Sequence, residues 1–223
     1  MGKADLHMHS TYSDGYQTVA QILQRVEQYT ELDVIAITDH DCIDGALLAR
    51  DLSTRNRGRI EVIVGAEIST RDGHLLALNI EHLIPANLPM SETIQAIHEQ
   101  GGLAVVAHPL SRWCPSAKLA TLLELAAHKD HTPDGIEIYN GSFAGVGSNN
   151  RVRELNDAQL GWSATGGSDA HTMSAIGSSS TDFPGSRRVD LLNALRQHRT
   201  VACSGFWSTL TFVKYTLTIA AKR

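Results

Sequence analysis

Short, uninterrupted apolar runs recur along the chain at residues 4–8, 34–38, 60–68, 75–80, 103–107, 135–139, 162–165 and 200–204. Runs of this length suit strands buried on both faces, as in a parallel sheet covered by other layers. Segments of helical period lie between them. Val19, Ile22, Leu23, Val26 and Tyr29 follow the spacing of one helix face. Residues 46–52, 91–99, 118–127, 151–160 and 189–198 read the same way. Ser91 with Glu92, and Asp190, stand where helices start, and Gly101-Gly102 where one stops. The runs at 60–68 and 75–80 are joined by a Thr-Arg-Asp-Gly-type turn, which predicts a local antiparallel hairpin. Residues 174–186, rich in Ser and Gly, read as a loop. The alternation predicts an α/β protein with a largely parallel sheet in one domain, since no linker or repeat divides the chain.

A chain of 223 residues can bury a core without disulfides. Cys42, Cys114 and Cys203 are odd in number and far apart, which fits neither a disulfide framework nor a thiolate metal site. No apolar stretch suits a signal peptide or a transmembrane helix, so a cytoplasmic protein is expected. With 19 Lys and Arg against 24 Asp and Glu, the net charge is −5. That balance argues against long duplex DNA as a partner, because such binding draws on basic side chains.

Eleven histidines are present, and six of them are placed rather than scattered. In an α/β sheet the C-terminal strand ends converge on one face, which hosts the site. His9, His40, His108 and His171 fall at or just past such ends, as do Asp14, Glu67 and Asp169, while His7 lies inside the first run. His7 and His9 stand at i and i+2, so both can point to one side of a strand. The pattern of Asp169 and His171 repeats that geometry after Gly166-Gly167, which would let the backbone approach a metal or phosphate. The buried run ending at Thr38 breaks into Asp39-His40-Asp41. His40 is the better ligand there. Asp39 would fix its tautomer, while Asp41 or Asp44 would cap the next helix. Glu67 is suited to bridge two cations. His74 opens a Leu-Leu-Ala-Leu run and reads equally as a ligand or as a core histidine. Imidazole and carboxylate donors without thiolate suit Zn, Mn or Fe(II), and eight or nine residues of ligand type at one rim outline a polynuclear site. His82, His98, His128, His131 and His198 read as solvated.

Taken together, His7-x-His9, Ser13-Asp14-Gly15, Asp39-His40, Glu67, His74, His108-Pro109 and Ser168-Asp169-Ala170-His171 resemble the PHP (polymerase and histidinol phosphatase) phosphoesterases, over residues 5–171 and in that family's order. The resemblance implies a distorted (β/α)7 barrel of amidohydrolase-like type, with a trinuclear metal centre at the C-terminal rim. It implies one metal on His7, His9, Glu67 and Asp169, a second on Glu67, His74 and His108, and a third on Asp14, His40 and His171. The implied reaction is hydrolysis of a phosphate ester by a metal-bridged hydroxide. The expected substrate is a small nucleotide, such as a nucleoside 3′,5′-bisphosphate, or the 5′ end of a short oligonucleotide. A histidinol-phosphate-type phosphatase is the alternative, and a metal-bound, non-catalytic proofreading module is the reading from another class.

His40, His171 and Asp169 are the expected catalytic residues, with His40 or His171 as general acid if free of metal. Arg112 would bind phosphate bidentately. Ser13 and Asn140 are weaker substrate contacts, and Trp113 would stack on a base. The domain is expected to span residues 1–204. The tail, 205–223, is left between packing on the barrel and a membrane-surface or oligomer contact. Within it Leu210, Val213 and Leu217 fit a helix face, whereas Tyr215, Leu217 and Ile219 alternate like a strand. Oligomeric state is not legible.

Overall fold

The computed structural model describes residues 1–221. Strands and helices alternate from β1 (Gly2–Asp5), α1 (Val19–Tyr29), β2 (Val34–Ile37) and α2 (Asp44–Asn56) to the hairpin β3 (Glu61–Thr70) and β4 (Gly73–Leu78). Then come α3 (Met90–Glu99), β5 (Leu103–Val106), α4 (Leu119–Ala127), β6 (Gly135–Asn140), α5 (Asn149–Leu155) and β7 (Ser163–Gly167). The chain ends with β8 (Ser180–Phe183), α6 (Arg188–Arg196), β9 (Val201–Cys203) and α7 (Thr209–Ala221).

The strands form one sheet in the order β7-β6-β5-β4-β3-β2-β1-β8-β9. β1 pairs parallel to β2, β2 to β3, β5 to β6 and β6 to β7. The antiparallel pairs are β3 with β4, β4 with β5, β1 with β8 and β8 with β9. It follows that β4 and β8 run against the other strands, which all share one direction. The sheet curls until its ends meet. Met8 bridges to Ala170, and His9 N–H donates to Ala170 O at 3.0 Å. The result is the expected α/β architecture, a nearly closed, mostly parallel barrel.

Alternation along the strands explains the continuous apolar runs. Ile35, Ile37, Ala104, Val106, Ile136 and Ile138 pack with side chains of α1 to α5 such as Ile22, Ala46, Ile94, Leu122 and Val152. Val34, Ala36, Leu103 and Val105 face the other way and pack with Leu191, Leu192 and Leu195 of α6. Both faces of the sheet are thus removed from water, which no single polar face could satisfy.

Local rules account for some helix ends. Thr18 caps α1 in a capping box with Gln21. Gly101, at φ +73°, and Gly102 close α3 through the carbonyls of His98 and Ile97. At the start of α3, however, Asp72 of the β3–β4 turn takes the Met90 N–H at 2.9 Å, so the cap comes from another element and not from Ser91 or Glu92. Asp41 accepts the Ser69 N–H at 2.8 Å and ties β3 to the β2 end instead of capping α2. The helix expected over 151–160 begins at Asn149 and runs into a π-helical turn, Asn156–Leu160.

One feature differs from expectation, and one that the sequence left open is decided. β8 lies inside the segment read as a Ser/Gly-rich loop. Its polar residues are held by the ladders to β1 and β9, by the Thr181 hydroxyl on Gly166, and by burial of Phe183. The tail forms α7, so the strand alternation does not apply. Leu210, Val213 and Leu217 face outward, while Tyr215 turns toward the barrel mouth. Lys222 and Arg223, the last residues of the tail, lie outside the described residues. No helix among the described residues is long and apolar enough to cross a membrane.

Asp5 is the fastener of the closure. Fully buried, it accepts N–H groups from Ser168 at 3.0 Å, Gly177 at 2.9 Å and His7 at 3.4 Å. Asp5→Ala is expected to lower unfolding free energy by about 1–3 kcal/mol, the cost of buried donors left without an acceptor. Denaturant titration checks it, and a midpoint equal to that of the parent chain would contradict the role.

Candidate metal centre

The site is built around one carboxylate. Glu67 lies in β3 just beyond the regular ladder to β2, opposite Leu76 of β4 and bridged to His40 in the segment that follows β2, so it stands at the barrel rim. It is 1% exposed. Its Oε2 lies 3.2 Å from His7 Nε2, 3.2 Å from His9 Nε2 and 3.3 Å from His40 Nδ1. Its Oε1 lies 2.8 Å from His74 Nδ1 and 2.9 Å from His108 Nε2. Five imidazoles therefore meet on one side chain. The two readings of His74 left open by the sequence narrow, because its ring faces the cluster.

Asp169 Oδ1 stands 3.3 Å from His9 Nε2 and 3.5 Å from His7 Nε2. Asp14 is half exposed, with Oδ2 at 3.1 Å from His171 Nε2 and 3.9 Å from His40 Nε2, and Oδ1 at 3.6 Å from His9 Nδ1. The donor atoms fall into four groups of ligand type: His9, Asp14, His40 and His171; His7, His9 and Asp169; His7, Glu67 and His108; His40, Glu67 and His74. The structure thus gathers all nine expected ligands at one place. It joins His108 to His7, and His40 to both Glu67 and Asp14, where the expected sets were disjoint apart from Glu67.

The residues fit divalent cations. Ligand atoms about 2.1 Å from a shared ion stand about 3.0–3.4 Å apart at ordinary coordination angles. Most contacts above lie in or near that interval. His9 Nε2 and His74 Nδ1 are buried and accept or donate no hydrogen bond, although carboxylate oxygens lie close by. A buried nitrogen beside a carboxylate, with no hydrogen bond between them, suits a shared cation: His9 falls in the groups with Asp169 and with Asp14, and His74 in the group with His40 and Glu67.

Outer contacts fix which nitrogen of each ring faces inward. His7 Nδ1 is 3.1 Å from Glu137 Oε1, leaving Nε2 toward Glu67. His171 Nδ1 donates to the Asp169 carbonyl at 2.9 Å, since a carbonyl can only accept, so its Nε2 lone pair points to Asp14. His108 Nδ1 meets Ser116 Oγ at 3.2 Å and Cys114 Sγ at 3.3 Å. Asn140 Nδ2 donates to Glu137 Oε2 at 2.8 Å and to Asp169 Oδ2 at 3.3 Å, and Ser142 Oγ donates to the latter at 2.8 Å. His108 at φ +29° and Asp169 at φ +51° hold backbone conformations that non-glycine residues seldom adopt, as is common where a side chain must be aimed.

Several expected roles move. Asp39 touches no imidazole nitrogen. It accepts Ser10 N–H and Oγ–H at 2.7 Å each and Ser13 Oγ–H at 2.6 Å, and so shapes the turn that presents Asp14. Ser13 is committed to that bond and does not line the cavity. Asn140 is fully buried beneath Asp169 and is placed to orient it, not to meet substrate. Arg112 is exposed and lies outside the cavity lining. Gly167 serves close packing against protein, not against a metal or phosphate: a Cβ there would collide with Glu137 Oε1 and His7 Cβ.

Glu137 and Cys114 were not found from the sequence. The signal for Glu137 was there, a lone acid inside the apolar run Gly-Ile-Glu-Ile-Tyr.

A cavity of about 300 Å³ opens above the cluster. Asp14, His40, Glu67, His74, His108, Asp169 and His171 form its floor, and Trp113, Phe143, Trp207, Phe212 and Tyr215 its walls. The aromatics touch one another. Trp113 and Phe143 ring centroids are 4.6 Å apart, Phe143 and Phe212 5.3 Å, and Trp207 and Tyr215 5.2 Å. Trp207 is anchored by Nε1–H to the Ser168 carbonyl at 2.8 Å.

Comparisons with known proteins agree on one family. The profile of the PHP domain matches residues 5–152, and that of a PHP-associated region matches residues 147–200. An uncharacterized protein of Methanocaldococcus jannaschii is 32% identical over 169 residues, 69% of this chain and 93% of that protein. A 3′,5′-nucleoside bisphosphate phosphatase of Chromobacterium violaceum is 29% identical over 143 residues, 57% of this chain and 49% of that protein, so the match spans about half its length. A two-domain protein from Bacteroides vulgatus, described as containing a predicted PHP-like metal-dependent phosphoesterase, superposes with a TM-score of 0.71 at 19% identity. That match covers 91% of this chain and 64% of the other.

Protons and cations compete for these rings. Burial opposes charge on His7, yet Asp169, Glu67 and Glu137 hold it protonated well above the ordinary imidazole range. His9 is pushed up to about 9, its burial outweighed by Asp169 and Glu67. Glu67 and Asp169 are buried too, and the imidazoles keep both well below the usual carboxylate range. His40 goes the other way, lowered first by burial and then by His9 and His74 against the pull of Glu67 and Asp14.

The raised folded value at His9 gives the metal-free protein stability that is complete below 6.5 and is lost as pH rises through about 9. The carboxylates add stability that is lost only as pH falls through their lowered values. Metal ligation needs neutral imidazole. The thermal shift produced by saturating Mn²⁺ should therefore grow from pH 6.5 to 9, with proton release visible by calorimetry in buffers of different ionisation enthalpy. A shift that shrinks over that interval would contradict the competition.

Proposed function

The chain belongs to the PHP-domain family, as a metal-dependent phosphoester hydrolase, and from that premise we propose that it hydrolyses a phosphate ester on a small nucleotide, such as a nucleoside 3′,5′-bisphosphate, or at the 5′ end of a short oligonucleotide. The observation that carries this reading is the convergence of five imidazoles on Glu67 directly beneath a cavity walled by aromatic rings. The floor suits divalent cations and a phosphate, and the walls suit a nucleobase, whose flat faces stack on aromatic side chains.

The proposed ligands for two to three divalent ions are His7, His9, Asp14, His40, Glu67, His74, His108, Asp169 and His171. Such ions, when bound, supply Lewis acidity toward water and toward the phosphate oxygens. The chain's own residues hold the arrangement. Glu137 orients His7, while Asn140 and Ser142 orient Asp169. The Asp39 turn presents Asp14 at the rim. The His171 Nδ1–H donates to a carbonyl, which supports a ligand role through Nε2 over a role as proton donor. His40 is the more exposed ring of the cluster, with its side chain 29% accessible, and it would exchange a proton with substrate only where its Nε2, 3.9 Å from Asp14 Oδ2, is free of metal.

His9→Ala and Asp169→Ala should each lower phosphoesterase activity by at least about 10²-fold while far-UV circular dichroism stays native, because each removes a preorganised group from the charge-stabilising site. The assay is a panel of phosphomonoesters, nucleoside bisphosphates and 5′-phosphorylated oligonucleotides with added Mn²⁺. Parental activity in either variant would overturn the assignment.

A further inference from the structure

The loop that follows His108 has two faces. One carries Trp113, Cys114 and Pro115 onto the cavity above the carboxylate–histidine cluster. The other bounds a second cavity of about 530 Å³, whose lining includes Arg71, Asp72, Lys118 and Arg151. Cys114 and Pro115 line both cavities, so the two share a wall. That wall is pinned. Leu110 N–H donates to Ala117 O at 3.0 Å, and Ser116 Oγ reaches His108 Nδ1 at 3.2 Å. Gly73, at φ +126°, lets the Ser116–Ala117 backbone lie where a Cβ would collide with it.

The charge of this second cavity is uncompensated. Arg71, Lys118 and Arg151 are exposed. Among the described residues, ion pairs of Lys and Arg engage Lys3, Arg50, Arg59, Arg153 and Arg187, and not these three. The one carboxylate in the lining, Asp72, is turned to the Met90 N–H. α4 begins at the same place, with Lys118 before its first turn and no side chain capping its N–H groups. In a chain of net charge −5, three unpaired cations over a ligand-sized concavity run against the average. Arginine at such a spot is suited to phosphate, which it meets with paired N–H donors.

We propose that the cavity lined by Arg71, Lys118 and Arg151 is a second phosphate subsite, which holds a phosphate of the substrate other than the one being hydrolysed. The enzyme then selects substrates carrying two phosphates, whether a nucleoside bisphosphate or the end of an oligonucleotide, over simple monophosphates. The proposal rests on the phosphoester-hydrolysis reading of the neighbouring cluster, and deepens it by assigning the selectivity to residues outside the metal ligands.

The test compares the wild-type chain with Arg71→Ala/Arg151→Ala and with Lys118→Ala. Both replace exposed side chains, and unchanged thermal melting confirms their folding. Equilibrium binding of adenosine 3′,5′-bisphosphate, adenosine 3′-monophosphate and adenosine 5′-monophosphate is measured by calorimetry. Separately, kcat/KM with Mn²⁺ is measured for the bisphosphate, a 5′-phosphorylated pentaribonucleotide and para-nitrophenyl phosphate. Wild type should bind the bisphosphate about tenfold or more tighter than either monophosphate, and the double variant should lose most of that ratio. Its kcat/KM should fall for the bisphosphate or the pentaribonucleotide, whichever wild type prefers, and hold for para-nitrophenyl phosphate. Equal binding of mono- and bisphosphate by wild type, or a ratio unchanged in the variants, overturns the subsite. If the binding ratio behaves as expected while no ester is cleaved, the subsite stands and the hydrolytic reading fails.

Discussion

One buried carboxylate cannot sit among five imidazoles by accident of packing. Glu67 would be costly in the rim of an apolar barrel unless positive charge surrounded it, whether as imidazolium or as metal ions. The rings around it face the same constraint, since each needs a partner for the nitrogen it turns inward. The outer contacts follow from that requirement. Glu137 and the Asp169 carbonyl take the outward protons of His7 and His171, and Asn140 and Ser142 hold Asp169 in place. A cluster so interlocked has few alternative arrangements, which is the physical meaning of preorganisation at this site.

The barrel supplies the geometry. β3 runs past the end of β2, and its bridge to His40 sets Glu67 and that imidazole side by side at the rim. β1 and β7 meet through Met8 and Ala170, which brings the His7–His9 pair beside Asp169. Asp5, one turn of the pleat below His7, closes that seam with three accepted N–H groups, and its burial raises its carboxyl to about 6. The fold and the site thus share fasteners, and residues that look structural determine where ligands point.

α7 adds a contribution from the far end of the chain. Trp207, Phe212 and Tyr215 complete the cavity walls with Trp113 and Phe143, so the cavity above the cluster is assembled from three distant segments. Tyr215 lies against His171 at 5.6 Å between centroids, and burial with Asp14 and Asp169 nearby keeps its phenol neutral. Such walls join the carboxylate–histidine floor and an aromatic surface in one small volume, and the basic cavity adjoins it across Cys114 and Pro115.

The sequence by itself determined the architecture and the ligand chemistry. Apolar runs too continuous for a one-sided sheet required cover on both faces, and acids or imidazoles at their ends could satisfy their polarity only at a common rim. Those are consequences of periodicity and of the cost of burying charge, which are local and additive along the chain. Tertiary structure decided what depends on through-space partners. The cap of α3 comes from Asp72, and Asp39 serves a serine turn instead of a histidine. Glu137 is a positioning acid within a run that reads as plain strand. Polar β8 becomes a strand because β1 and β9 offer it ladders, and Arg112 stays outside the cavity while Arg71, Lys118 and Arg151, far apart in sequence, come together. Each of these rests on which groups meet across the fold, and no period or spacing in a single chain encodes that meeting.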